Sequence, residues 1–155
     1  MNAQVAPPLE ESIEVTNSPA EVWALISDIR RMSKWSPQVV KSFVRGGVSR
    51  KGAKFLNINR DGIKIWPTQA MVIDFDPDQR LSWRIKENFT VWSLNLEPTE
   101  SGGTRIIHRR EVPQGTSDLS NNLVQKFFGG QENFTAVLRK GMGQTLQRIK
   151  NDLAN

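Results

Sequence analysis

An α+β domain is predicted by three features of this sequence: a run of alternating strands, the turns that punctuate it, and a long helical stripe at the end. From Val39 to Pro113 polar and apolar residues alternate with period two. Gly46-Gly47, Asp61-Gly62, Asp76-Pro77-Asp78 and Gly102-Gly103 interrupt that alternation at short intervals, which joins successive strands into an antiparallel meander. Towards the C-terminus the period becomes 3.6, with Phe134, Leu138, Met142, Leu146, Ile149 and Leu153 on one stripe and Arg139, Lys140, Gln147 and Lys150 between them. A single long helix must bury its stripe, and the only partner of matching size is the sheet. The expected architecture is a seven-stranded curved antiparallel sheet wrapped around the long C-terminal helix, with two short helices after the first strand. Such a sheet leaves an interior wider than one layer of side chains, so a cavity is expected.

Residues 1–8 read as a flexible tail and 9–155 as one domain, in keeping with a chain of 155 residues. Glu11 to Val15 alternates and forms the first strand. Asn17-Ser18-Pro19 starts a helix: Asn17 or Ser18 can cap it, Pro19 suits its first turn and Glu21 lies early in it. Val22, Trp23, Leu25, Ile26 and Ile29 give it a buried stripe. A second short helix covers Arg30 to Trp35 and stops before Pro37. Six strands follow over about 39–45, 53–60, 63–74, 80–86, 89–97 and 104–112, and the long helix spans about 131–153. Asp118 to Phe128 also reads as helical, and Gly129-Gly130 after it either hinges a lid or separates two helices. Gly141 and Gly143 each cost the long helix roughly 0.5–1 kcal/mol relative to Ala, so the helix is expected to approach the sheet or a ligand closely there.

Composition narrows the chemistry. Five Trp and seven Phe with no Tyr are too many large aromatics for a disordered chain. No Cys excludes disulfides, thiol nucleophiles and Cys-type metal sites, and a single His excludes His-rich centres, so neither metal nor cofactor is expected. No apolar run approaches the roughly 20 residues that span a bilayer. The opening MNAQVAPPLEES has neither a basic region nor an apolar core, so it is no signal peptide and a cytoplasmic location is expected. The net charge is +5, and the bases Lys41, Arg45, Arg50, Lys51, Lys54, Arg60 and Lys64 face only Asp61 within their stretch. That hairpin is either a solvated face or a surface for anionic lipid, nucleic acid or an acidic partner.

Fragments along the whole chain resemble a known group. They run through Glu21-Val22-Trp23, Ser27-Asp28, Lys34-Trp35-Ser36-Pro37, Gly52-Ala53-Lys54-Phe55, Asn59-Arg60-Asp61-Gly62 and Trp66-Pro67-Thr68. They continue through Leu81-Ser82-Trp83-Arg84, Trp92, Leu96-Glu97-Pro98, Gly103-Thr104-Arg105 and Gly141-Met142-Gly143-Gln144-Thr145-Leu146. Together with the element order, this resembles the helix-grip fold of the START-like (SRPBCC) superfamily and, within it, the bacterial polyketide cyclase/dehydrase-like group. The resemblance implies an elongated pocket for a hydrophobic small molecule; it supplies no catalytic motif to match residue by residue.

Strand parity indicates which side chains line such a pocket. A two-residue turn at Asp61-Gly62 sets Arg60 opposite Ile63, Asn59 opposite Lys64, Asn57 opposite Trp66 and Phe55 opposite Thr68. One face then carries Phe55, Asn57, Asn59, Trp66, Thr68 and Val72, aromatic and small polar side chains of the kind that line ligand sites. Turned inward, that face leaves Leu56, Ile58 and Ile65 as an outward aliphatic row, which predicts a homodimer; the reversed orientation is the competing reading. Leu81, Trp83 and Ile85, then Trp92, Leu94 and Leu96, then Thr104, Ile106, His108 and Arg110 complete the inward set. Trp35, Phe127, Phe134, Leu138 and Met142 supply the remaining candidate wall.

Two members of this set carry chemistry. His108 is the one conventional acid/base candidate, against a plain hydrogen-bonded or surface histidine. Arg110 can hold a carboxylate or phenolate of a ligand, against a salt bridge with Glu111 or Asp118. Binding or carriage of a lipid-, polyketide- or aromatic-like molecule is therefore the leading function. A cyclase/dehydrase-type enzyme using the same cavity is the alternative, and an acidic-surface or nucleic-acid binder through the 41–64 hairpin stands last, because its bases do not interleave with aromatics.

Overall fold

The structure is a computed structural model that describes residues 8–47, 49–113 and 131–155, with side chains of the last stretch from Phe134 onward. Its strands are β1 (Leu9–Val15), β2 (Val39–Val44), β3 (Lys54–Asp61), β4 (Lys64–Asp76), β5 (Arg80–Ile85), β6 (Val91–Pro98) and β7 (Thr104–Glu111). The helices are α1 (Pro19–Ile26), a 3-10 turn at Ile29–Arg31 running into α2 (Met32–Trp35), and α3 (Gln131–Leu153). The strands form one antiparallel sheet in the order β1-β7-β6-β5-β4-β3-β2, so β1 and β2, the first two strands in sequence, are the sheet edges. Asp118 to Phe128 and Gly129-Gly130 lie outside the described residues.

Local chemistry sets the element ends. Ser18, not Asn17, caps α1: its hydroxyl accepts from the Glu21 amide while the Glu21 carboxylate accepts from the Ser18 amide, a reciprocal capping box. Asn17 instead reaches both Glu21 and the carbonyl of Leu153 at the end of α3. Strand β6 begins at Val91 rather than Phe89, because Phe89 adopts φ +61° in a turn closed by Asn88, whose side chain accepts from both the amide and the hydroxyl of Thr90.

The β3–β4 hairpin departs from expectation by two residues. Its register is Asp61↔Lys64, Arg60↔Ile65, Asn59↔Trp66, Asn57↔Thr68 and Phe55↔Ala70, so the central turn residues are Gly62 and Ile63. The cause is torsional. A type I′ turn at Asp61-Gly62 needs positive φ at both residues, whereas only Gly62 takes it (φ +64°), as a type II′ turn with Gly in first place requires. A shift of two preserves side-chain parity, so Phe55, Asn57, Asn59, Trp66 and Thr68 share the concave face all the same. Leu56, Ile58 and Ile65 point outward, the first two half-buried and Ile65 exposed.

Two bulges bend the sheet. Ile73 is the extra residue between Val72↔Trp83 and Asp74↔Ser82. Its insertion reverses parity beyond it and turns Phe75 inward, where its ring meets Trp23 edge-on at a centroid distance of 4.9 Å. It also delivers Asp74 to the convex face, where its carboxylate accepts from Ser82 and Arg80. Val40 bulges likewise in β2.

The principal core gathers Val22 and Ile26 of α1, Ile29 of the 3-10 turn, Phe55, Val72, Trp83 and Ile106 of the sheet, and Leu146 and Ile149 of α3. The C-terminal half of α3 is tied down further: the Trp35 indole N–H donates to Asp152 at 3.0 Å, and Arg148 donates to the Trp35 carbonyl at 3.4 Å. Its N-terminal half belongs to a second, smaller cluster of Leu9, Leu138 and Met142 with Trp92 and Phe134. The expected close approach at Gly143 is absent, since a Cβ there meets open space, and one at Gly141 meets only Pro37 at an ordinary 3.5 Å. Among the described residues the tight glycine is Gly103, where a Cβ would collide with the carbonyl oxygen of Val15.

Thermal unfolding of two alanine variants separates these cases. Gly103→Ala is expected to lower stability by about 3 kcal/mol, because backbone must move. Gly143→Ala is expected to raise it by about 0.5–1 kcal/mol through helix propensity alone.

Candidate functional site

The concave face and α3 enclose a cavity of about 1200 Å³. Its floor is the sheet, where alternate residues of β3 to β7 point inward: Asn57, Asn59, Trp66, Thr68, Leu81, Trp83, Ile85, Trp92, Leu94, His108 and Arg110. Its roof is one side of α3, with Phe134, Leu138 and Met142, and its end wall comes from Ile26, Ile29, Met32 and Trp35. Two expected wall residues differ. Phe55 is buried in the principal core instead, in one cluster with Ala53, Ala70 and Ile29, and does not line the cavity. Phe127 lies outside the described residues. The sequence pattern places Ile26 and Ile29 on a helix stripe and gives Met32 no role, because the apolar periodicity that marks a core face marks a cavity face equally.

Polar groups on the wall fall into two kinds. Asn57 accepts from the Ser42 hydroxyl and contacts the Met32 sulfur at 3.8 Å. Asn59 donates to Thr68 at 2.9 Å and to the Trp66 carbonyl at 3.2 Å. These amides are engaged by neighbouring strands and by α2, and they hold β2, β3 and β4 in register. His108 and Arg110 are of the second kind.

His108 is buried on β7, with Trp92 at a ring-centroid distance of 5.5 Å and Trp83 at 6.5 Å. Its Nδ1 lies 2.9 Å from the carbonyl oxygen of Ser93. A carbonyl only accepts, so Nδ1 carries the hydrogen and Nε2 is a bare acceptor. Burial in this aromatic setting pushes the imidazole down to about 4, against the weaker opposing pull of the Ser93 bond. At neutral pH it is uncharged.

Arg110, two residues along the same face, is 8% exposed. Its guanidinium lies 5.8 Å from the Trp92 ring and 5.6 Å from the Phe134 ring. Neither anticipated carboxylate pairs with it: Glu111 is engaged by Arg109 at 2.9 Å, and Asp118 lies outside the described residues. Among the described residues no hydrogen bond or ion pair reaches this guanidinium. Burial lowers it to about 10, which leaves it cationic at neutral pH.

The bases of the 41–64 stretch do not converge. Arg45, Arg50, Lys51 and Lys54 lie at one end of the β2–β3 pair, and Lys41, Arg60 and Lys64 towards the other; Lys54 and Arg60 are separated by roughly 20 Å of strand. Among the described residues no helix is long and apolar enough to cross a membrane.

Comparison with known proteins agrees with this architecture. The family model described as polyketide cyclase / dehydrase and lipid transport matches residues 7–154. A polyketide-cyclase-like protein from Corynebacterium glutamicum, Cgl2372, is 26% identical, with 95% of this chain and 91% of that one covered and a TM-score of 0.61. The aromatase/cyclase ZhuI from Streptomyces sp. R1128 shares the fold at a TM-score of 0.74 and 13% identity, over 96% and 93% of the two chains. The Aha1 dimer from Colwellia psychrerythraea superposes at a TM-score of 0.63 with 16% identity, over 96% of each chain. No protein with a curated description matches the sequence significantly.

The state of His108 has a measurable consequence. Above pH 6.5 the imidazole is neutral both folded and unfolded; between 6.5 and about 4 only the unfolded chain takes up the proton. Stability is therefore expected to fall with falling pH across that window, by roughly 3 kcal/mol in all, and this contribution levels off below about 4. Urea unfolding at a series of pH values should show the loss in the wild type and a shallower slope in His108→Asn, whose amide can still donate towards Ser93.

Proposed function

This chain belongs to the polyketide cyclase / dehydrase and lipid transport family, and from that membership and its cavity we propose that it binds and carries a hydrophobic small molecule, lipid-, polyketide- or aromatic-like, in the cytoplasm. The observation that carries the reading is the cavity wall. A space of about 1200 Å³ exceeds the roughly 300–1,000 Å³ of ordinary ligand pockets and is faced mainly by aromatic and aliphatic side chains. Its asparagines are already satisfied, so apolar contact dominates what a guest would gain.

The alternative is a cyclase/dehydrase-type enzyme, which the family description and the paired His108 and Arg110 support. Against it stands the chemistry of His108, a weak base at neutral pH with no second neutral-range partner on the wall. Turnover of a poly-β-ketone substrate that collapses in His108→Ala would favour the enzyme. The surface-binder reading weakens with its bases split between two ends of a strand pair.

Trp35, Trp66, Trp83 and Trp92 all line the cavity and so report occupancy. Titration with flavonoid-, polyketide- and fatty-acid-like ligands is expected to give a saturable change in tryptophan emission, weakened roughly tenfold or more by Leu138→Trp, which fills the space. No change with any ligand overturns the reading. We also propose the outward row of Leu56, Ile58 and Ile65 as a face for a second copy, supported by the dimeric state of the Aha1 relative. Sedimentation should then show a dimer that Ile65→Lys dissociates; a wild-type monomer at tens of micromolar rejects it.

A further inference from the structure

We infer that the guest is an amphiphilic acid: an apolar body carrying one delocalised oxyanion, carboxylate or phenolate, seated on Arg110, with a hydroxyl directed at Nε2 of His108. The inference rests on the ligand-binding reading and adds its chemical class.

Four observations converge on it. Arg110 is a cation set into the cavity wall with nearly all of its surface withdrawn from solvent, and no carboxylate pairs with it among the described residues. An isolated buried charge is costly, and sites retain one where a partner arrives from outside. Its neighbours are the rings of Trp92 and Phe134. Contact with aromatic faces occupies none of the five N–H donors of a guanidinium, so its hydrogen-bonding fork is left for an oxyanion and can engage it bidentately. Third, His108 offers an acceptor and no donor to the cavity, because Nδ1 is committed to the Ser93 carbonyl. An oxyanion gains nothing from that nitrogen, whereas a hydroxyl donates to it. Fourth, both groups flank one ring, His108 at 5.5 Å and Arg110 at 5.8 Å from Trp92, so a single planar or acyl body lying on Trp92 reaches both. The remaining charged residues on the lining, Arg60, Asp61, Lys64, Glu87 and Lys140, are solvent-exposed, which leaves Arg110 as the one buried charge there among the described residues. The cavity is accordingly built for a monoanion rather than for a neutral lipid.

Calorimetric titration of matched pairs tests this. The probes are 6-hydroxy-2-naphthoate against its methyl ester, and palmitoleate against its methyl ester, which separate an aromatic from an acyl body. At least one acid is expected to bind the wild type roughly tenfold or more tighter than its ester, the scale of a charge-assisted bidentate pair. Arg110→Met should remove that preference while the ester binds as before or better, and Arg110→Lys should keep part of it. Unfolding of Arg110→Met is expected to occur no earlier than in the wild type, which shows that a lost preference is not a lost fold. The hydroxyl contact predicts that 6-hydroxy-2-naphthoate outbinds 2-naphthoate in the wild type and not in His108→Phe. Acid and ester binding equally well, or a preference that survives Arg110→Met, overturns the inference while ligand binding stands; equal binding of the two naphthoates overturns the hydroxyl contact. Failure of every probe in both forms removes the binding reading and this inference with it.

Discussion

A seven-stranded sheet is too wide for one helix to cover, and the rest of this molecule follows from that mismatch. Strands about 4.8 Å apart make a surface roughly 29 Å across, whereas a helix with its side chains is about 10–12 Å in diameter. The bulges at Ile73 and Val40 curve the sheet towards α3 without closing the gap. At one end Val22, Ile26 and Ile29 fill the difference and make an ordinary core. At the other nothing of similar bulk intervenes among the described residues, and there the concave face stays open beneath the helix. The cavity is thus a result of layer geometry, with the aromatic residues determining its character rather than its existence.

Burial then decides what each polar group on that face can do. In a medium with little water, a polar atom either finds a partner or remains available to a guest. Asn57 and Asn59 have found theirs and act as rivets between strands. His108 has spent one nitrogen on Ser93 and is thereby fixed as a neutral acceptor. Among the described residues Arg110 has only rings for company. The same apolar surroundings that lower the affinity of both groups for protons also strengthen any hydrogen bond they make, so the two adjacent inward positions of β7 concentrate the chemical identity of the site.

Much of this was legible from residue order, for a reason worth separating from its details. Strand parity survives register errors of two, so Phe55, Asn57, Asn59, Trp66 and Thr68 keep their face although the turn sits at Gly62-Ile63 and not at Asp61-Gly62. Parity does not survive an inserted residue, and nothing in the local pattern marks Ile73 as the extra one; the inward turn of Phe75 onto Trp23 is therefore visible only in three dimensions. Phe55 shows the other limit. Periodicity separates inside from outside, but whether an inside residue meets a packed neighbour or empty space depends on how far the helices reach along the sheet. The solitude of Arg110 is of the same kind, since Glu111 is adjacent in the chain but on the opposite face.

The two halves of α3 are held by unequal means. Near its C-terminus the helix is bolted by Leu146 and Ile149 in the main core, by Trp35 on Asp152 and by Asn17 on the carbonyl of Leu153. Towards its other end the grip among the described residues is a small apolar cluster at the edge strand and a solvent-exposed pair between Arg139 and Glu11. The helix is in effect a cantilever, clamped at the root and lightly seated at the tip, and the tip is the part that roofs the cavity.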